Sequence, residues 1–227
     1  MTPRRIINRA VQAGLDIIAV SDHNSAANTA VAFGLAKDRG LTVLPAMEIT
    51  SREEAHVLAL FESVKQAGEM QEIVYGQIPD GDGDGQSLGY QLVVNEKDEI
   101  MEFCRKLFLV ATAFSVGELV DVIHSLGGLA VASHIDRGSF SVLSQLGFIP
   151  EDARFDALEI SGGMEADKAL SMYGQYSSVP WISSSDAHNL DAIGTDFTGF
   201  MLEEASFPEI ARAFRGERNI KWRCALI

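Results

Sequence analysis

Two kinds of segment alternate along the chain. Compact apolar runs end in polar turns that carry acids and imidazoles. Ile17-Ile18-Ala19-Val20 runs into Ser21-Asp22-His23-Asn24, and Val43-Leu44-Pro45-Ala46-Met47 runs into Glu48. Leu129-Ala130-Val131-Ala132-Ser133 leads to His134, and Trp181-Ile182-Ser183-Ser184-Ser185 leads to Asp186-Ala187-His188. His56 opens a further run, Val57-Leu58-Ala59-Leu60-Phe61. Between these runs apolar residues recur at helical spacing, as in Ile6, Ile7, Ala10 and Val11.

The pattern predicts an opening helix with Thr2 as its cap, Pro3 in its first turn and Gly14 at its end. Strand Ile17–Val20, a helix from about Ser25 to Gly40, and strands over 42–47 and 56–61 follow, an αβαββ start. A helix over 63–73 and a strand over 90–94 come next. Ser115-Val116-Gly117-Glu118 is a capping box opening a helix that runs to Gly127-Gly128. Strand 129–133, helix 139–146, strand 157–160, helix 164–173, and strands 181–184 and 197–202 lead to a second capping box, Ser206-Phe207-Pro208-Glu209, and a last helix to Arg215. Alternating strands and helices predict an α/β fold with a mainly parallel sheet. No repeat or linker divides the chain, so residues 1–227 read as one domain, with an insertion or lid at about 62–112.

Within that insertion, Asp80-Gly81-Asp82-Gly83-Asp84-Gly85 approaches a calcium loop. Its twelfth position is Gln91 where a bidentate Glu belongs, and no helix pair frames it, so the tract reads as a turn-rich loop. The 227 residues are 47% hydrophobic, enough for a full core. No apolar run approaches membrane-spanning length, and the start shows no secretion signal. The two cysteines, Cys104 and Cys224, have neither disulfide-framework nor zinc-pair spacing, so a reduced, cytoplasmic setting is expected. A formal charge of −14 predicts no binding of long nucleic acid and leaves room for a small anionic substrate where metal ions invert the local field.

Four of the five histidines abut strand-like runs. In α/β sheets the loops after strands are where ligands bind. Imidazole and carboxylate together suit zinc, manganese and iron, and a carboxylate bridges two ions. His23, Glu48, His56, His134, Asp186 and His188 offer these ligands at separate loop mouths. His124 lies inside the Ser115 helix and reads as structural, and Glu159 is a candidate inward-facing acid. No G-x-S-x-G elbow supports a serine hydrolase, and no glycine loop supports nucleotide cradling.

Ser21-Asp22-His23-Asn24, Ala46-Met47-Glu48-Ile49, His56-Val57-Leu58-Ala59-Leu60-Phe61, Ala132-Ser133-His134 and Ser185-Asp186-Ala187-His188 resemble the ordered motifs of the PHP (polymerase and histidinol phosphatase) superfamily, across nearly the whole chain. The resemblance implies a distorted seven-stranded β/α barrel with two or three divalent ions and phosphoesterase chemistry on a small phosphorylated metabolite or nucleotide. It makes His23, Glu48, His56, His134, Asp186 and His188 the expected metal residues, with Glu48 the bridge and Glu48, His56 and His134 sharing one ion. Asp22 and His23 join Arg137 as expected catalytic residues, with Arg137 clamping phosphate or pairing with Asp136. His56 begins its strand, so it reaches the site only if that strand doubles back from Glu48. Members of the superfamily open with a strand ending in a D-x-H-x-H-like motif, and none precedes Asp22 here. The expectation is an internal start or a lost strand, fewer ions, and an open barrel edge covered by the insertion or by a second subunit. The alternative is a metal- or ligand-binding domain with little turnover. Metal-dependent amide hydrolysis would bring an H-x-H motif and often a carbamylated lysine, and neither is evident.

Overall fold

The structure is a computed structural model and describes residues 1–81 and 91–222. In chain order the elements are α1 (Pro3–Gln12), β1 (Ile17–Val20), α2 (Thr29–Ala36), β2 (Thr42–Thr50), β3 (His56–Leu60), α3 (Val64–Tyr75), β4 (Gln91–Val94), β5 (Ile100–Cys104) and α4 (Val116–Ser125). They continue with β6 (Leu129–Ala132), α5 (Val142–Leu146), β7 (Ala157–Glu159), α6 (Ala166–Tyr173), β8 (Trp181–Ile182), β9 (Thr198–Phe200), α7 (Phe207–Phe214) and β10 (Ile220–Trp222). Most of the predicted calcium-like tract, and Cys224, lie outside the described residues.

The main sheet has six strands in the order β1-β2-β3-β6-β7-β8. β1–β2, β6–β7 and β7–β8 are parallel, while β3 runs antiparallel to both neighbours. Among the described residues the sheet is therefore mainly parallel, as the alternation of strands and helices predicts, with β3 alone reversed. The cause is the tight β2–β3 turn, in which Ser51 N–H donates to the Ala55 carbonyl at 2.8 Å and Glu54 takes φ 62°. A turn this short joins only antiparallel strands.

Side chains alternate across each strand. Met47, Ile49, Val57, Ala59, Phe61, Ala130 and Leu158 point outward and are buried with Met70, Leu119 and Ile123 of α3 and α4. Leu44, Ala46, Leu60, Leu129, Val131, Ala157 and Ile182 point the other way, toward Ile210 and Phe214 of α7. Continuing that inward parity brings Glu48, His56 and Glu159 to the same concave face. There the curled sheet bounds a cavity of about 1810 Å³, apolar at one end (Leu44, Leu58, Leu60) and polar at the other (His23, Glu48, Asp186). β1 and β8 both line it, and neither has a second partner strand among the described residues. Among the described residues the sheet is thus a curled, open half-barrel of six strands, in line with the expected open edge, and a closed seven-stranded barrel is not formed.

Residues 62–112 contain α3 and the β4–β5 hairpin, whose second strand the sequence pattern had not indicated. Two asparagines fasten this segment. Asn28 Nδ2 donates to the Leu92 carbonyl and its Oδ1 accepts from Val94 N–H, at 2.9 and 3.1 Å. Asn24 Nδ2 donates to the carbonyls of Phe108 and Val110, both at 2.9 Å. The capping box at Ser115 forms, with the Glu118 carboxylate accepting from Ser115 N–H at 2.8 Å. The one expected at Ser206 does not form, because Glu209 binds Arg212 and Arg218 instead. Thr2 makes no side-chain cap, and the second helix starts at Thr29 rather than Ser25. Among the described residues no helix is long and apolar enough to cross a membrane.

Candidate metal centre

The turn after β1 is locked onto β2 by backbone bonds. Glu48 N–H donates to the Asp22 carbonyl at 3.1 Å, and Asn24 N–H donates to the Glu48 carbonyl at 2.8 Å. Asn24, fully buried at φ 50°, also accepts from Thr50 N–H through Oδ1 at 3.1 Å. This fixes His23 beside Glu48. Antiparallel pairing sets Thr50 opposite His56 and Glu48 opposite Leu58, so Glu48 and His56 are diagonal neighbours on one face. The strand does double back, and His56 reaches the site.

One Glu48 oxygen lies 3.0 Å from His23 Nδ1 and 3.4 Å from His56 Nδ1, and the other lies 3.6 Å from His134 Nε2. The rings of His23 and His56 are 5.0 Å apart between centroids, and those of His56 and His134 are 5.4 Å apart. Ligand atoms of His23, Glu48 and His56 all fall within 4.8 Å of one another. Burial pushes the Glu48 carboxyl up, but the imidazoles of His134, His23 and His56 outweigh it and hold it well below the ordinary carboxylate range. Hydrogen bonding to Glu48 in turn raises His23 above its ordinary value, against the opposing effect of burial. His56 Nδ1 and His134 Nδ1 are buried with no hydrogen-bond partner. Three imidazoles around one buried carboxylate, two of them with orphaned nitrogens, fit a divalent-ion site of nitrogen and oxygen ligands.

Asp186 and His188 flank this group without joining its tightest set. The His188 ring is 6.4 Å from that of His23, and His188 Nδ1 donates to the Asp186 carbonyl at 2.9 Å. Asp186 accepts from Arg137 Nη1 at 2.7 Å, so Arg137 pairs with Asp186 and not with Asp136. Asp136 is taken by Ser161 N–H at 2.7 Å, which leaves Arg137 free to turn to the mouth, where its Nε donates to Ser161 Oγ at 3.2 Å. Asp22 lines the cavity beside His23. His124 is remote from the centre, bound to Asp156 at 2.8 Å, as its helical setting predicted.

Two neighbours carried little signal in the sequence. Phe140, at φ 57°, stacks on the His56 ring at 4.9 Å and 16°. Glu159 is buried at the cavity wall, where it accepts from His134 N–H at 3.0 Å and from Ser184 Oγ. Asn24, His134, Phe140 and Asp186 are four of the eight non-glycine residues with positive φ among the described residues. Such conformations cost about 1–3 kcal/mol each and gather at functional sites.

No protein-family model matches the chain. One curated relative, the Bacillus subtilis protein YqxK, is 30% identical over 104 residues, covering 44% of this chain and 27% of that protein. The matched segment thus spans about a quarter of that relative's length. Among solved structures, the lesion-specific endonuclease PfuEndoQ of Pyrococcus furiosus superposes with a TM-score of 0.71 at 20% identity, over 97% of this chain and 52% of that one. An Endonuclease Q complex with a 27-mer duplex bearing an abasic lesion gives 0.73 at 19%, over 97% and 53%. A two-domain Bacteroides vulgatus protein containing a PHP-like metal-dependent phosphoesterase gives 0.56 at 15%, over 97% and 60%. The fold is PHP-like. The PHP-like fold places loop mouths at the polar end of the cavity, where the His/Glu/His group lies.

Proposed function

We propose that this PHP-like chain is a metal-dependent phosphoesterase. The observation that carries the reading is the buried Glu48 carboxylate with His23, His56 and His134 converging on its two oxygens. Those four residues would hold one ion or a bridged pair, with Asp186 and His188 extending the ligand set toward the mouth. A divalent ion there supplies Lewis acidity toward phosphoryl oxygens and lowers the pKa of water. Zinc, manganese and iron all suit this donor set. Arg137, 42% exposed at the rim, presents a guanidinium whose fork matches a phosphate, and exchanges Asp186 for it. Phe140 shields His56 from solvent on one side, and the burial of His56 and His134 limits water around the ion site. The β4–β5 hairpin, fastened by Asn28, borders the cavity as a lid-like insertion in a single domain, and Asn24 fastens the chain that follows it.

Two substrate classes compete. The cavity's polar end suits a small phosphorylated metabolite or nucleotide. The exclusion of long nucleic acid drawn from the net charge of −14 is withdrawn, because Endonuclease Q, of like fold, is solved with a lesion-bearing duplex. Net charge governs long-range attraction, whereas ions at the site decide the field that a phosphate meets. Purified protein loaded with Mn²⁺ and then with Zn²⁺, incubated with p-nitrophenyl phosphate, mononucleotides and an abasic-site duplex, tests the function. Metal-dependent release of phosphate, or scission of the duplex, supports phosphoesterase chemistry and selects the class. Metal binding without hydrolysis of any of these substrates would favour the non-catalytic alternative, to which the two sheet edges at the cavity, unpaired among the described residues, lend support.

A further inference from the structure

We infer that Glu159 is a positioning residue that holds the His134 loop and the Asp186 loop in register for ion binding. It stands at the end of β7 on the inward face, 5% exposed. Its two oxygens serve two loops. Oε2 accepts from the His134 backbone N–H at 3.0 Å. Oε1 accepts from Ser184 Oγ, and the same Oγ accepts from the Asp186 backbone N–H at 3.3 Å. His134 and Asp186 both hold positive φ, 33° and 40°, a conformation that non-glycine residues keep only when their surroundings enforce it. One carboxylate thus ties the two strained loop ends together, and each end carries an expected ligand. The main chain adds a third tie, Ile135 N–H to the Glu159 carbonyl at 2.8 Å.

The inference rests on the proposed metal centre and separates from it by experiment. Glutamine keeps both ties: its oxygen accepts from His134 N–H, and its amide donates to Ser184 Oγ, which still accepts from Asp186 N–H. Leucine keeps neither. Calorimetric titration with Mn²⁺ alone should show Glu159→Leu weakened about 10- to 100-fold, as for other residues that orient metal ligands. Glu159→Gln should stay within about threefold of the parent, having lost only charge assistance. Ser184→Ala, which cuts the Asp186 arm alone, should fall between them. Amide hydrogen exchange without metal gives an independent reading: the His134 N–H should stay protected in Glu159→Gln and lose protection in Glu159→Leu. Should Glu159→Leu not fold, the order parent, Glu159→Gln, Ser184→Ala carries the test. A glutamine variant whose Mn²⁺ affinity falls as far as the leucine variant's, or below that of Ser184→Ala, would mean that Glu159 acts by its charge, and would overturn the inference. So would a leucine variant with parental affinity. A parent that binds no Mn²⁺ would contradict the metal centre itself.

Discussion

Glu48 is the residue on which the site depends. Its carboxylate is buried, yet three imidazoles keep it charged, so each oxygen faces ring nitrogens in place of backbone donors. Asp186 differs in setting: it stands on a loop, and its partner Arg137 is exposed enough to be rehydrated when the pair is broken. Exposed pairs contribute about 0–1 kcal/mol, so Asp186→Ala should shift stability by no more than about that amount. It should nonetheless lower the metal bound per chain, measured by elemental analysis after reconstitution and desalting, beside a thermal melt. A large loss of stability with unchanged metal content would assign Asp186 to structure.

At the scale of elements, α7 shows how local electrostatics outran a sequence motif. Ser206 and Glu209 have capping-box spacing, but Glu209 accepts from Arg218 Nε at 2.8 Å and from Arg212 Nη1 at 2.9 Å. The hydrogen bond from Arg218, aided by Glu203 N–H, holds the Glu209 carboxyl at about 2, below its ordinary 4.5. A carboxyl depressed in the folded state stabilises the fold above its unfolded pKa and loses that contribution as pH falls through the folded value. Glu209 should therefore support stability at neutral pH and progressively lose that effect from 4.5 down to about 2. Thermal melts across that window should fall less steeply for Glu209→Gln than for the parent, and parallel slopes would remove Glu209 from the acid response. The elements themselves were largely legible. Apolar runs marked β1, β2, β3, β6, β7 and β8, because each is buried on at least one face, and Ser115-x-x-Glu118 marked α4. β5 was not legible, since Ile100, Met101 and Phe103 are exposed and carry no burial pattern. In the site, strand-end histidines marked the side chains that converge on Glu48, and only inward parity along β7 hinted at Glu159. Phe140 could not be foreseen, because its contact with His56 comes from a loop 84 residues later in the chain, in a conformation that sequence pattern does not encode.

For the whole molecule, the sheet curls so that its inward positions converge at one end, and the antiparallel β3 brings His56 back to Glu48. The cavity extends from Leu44, Leu58 and Leu60 to the His/Glu group, where the side chains of Glu48, His56 and His134 are largely shielded from bulk water, an arrangement suited to holding an ion. The proposed chemistry requires this group to bind a divalent ion through Glu48. Titrating parent and Glu48→Gln with Mn²⁺, followed by calorimetry, tests it most directly. The parent should bind at least one ion per chain. The glutamine variant, which keeps the shape but removes the negative charge among three imidazoles, should bind at least about tenfold more weakly. Equal affinity in the two proteins, or no binding by the parent, would contradict the claim.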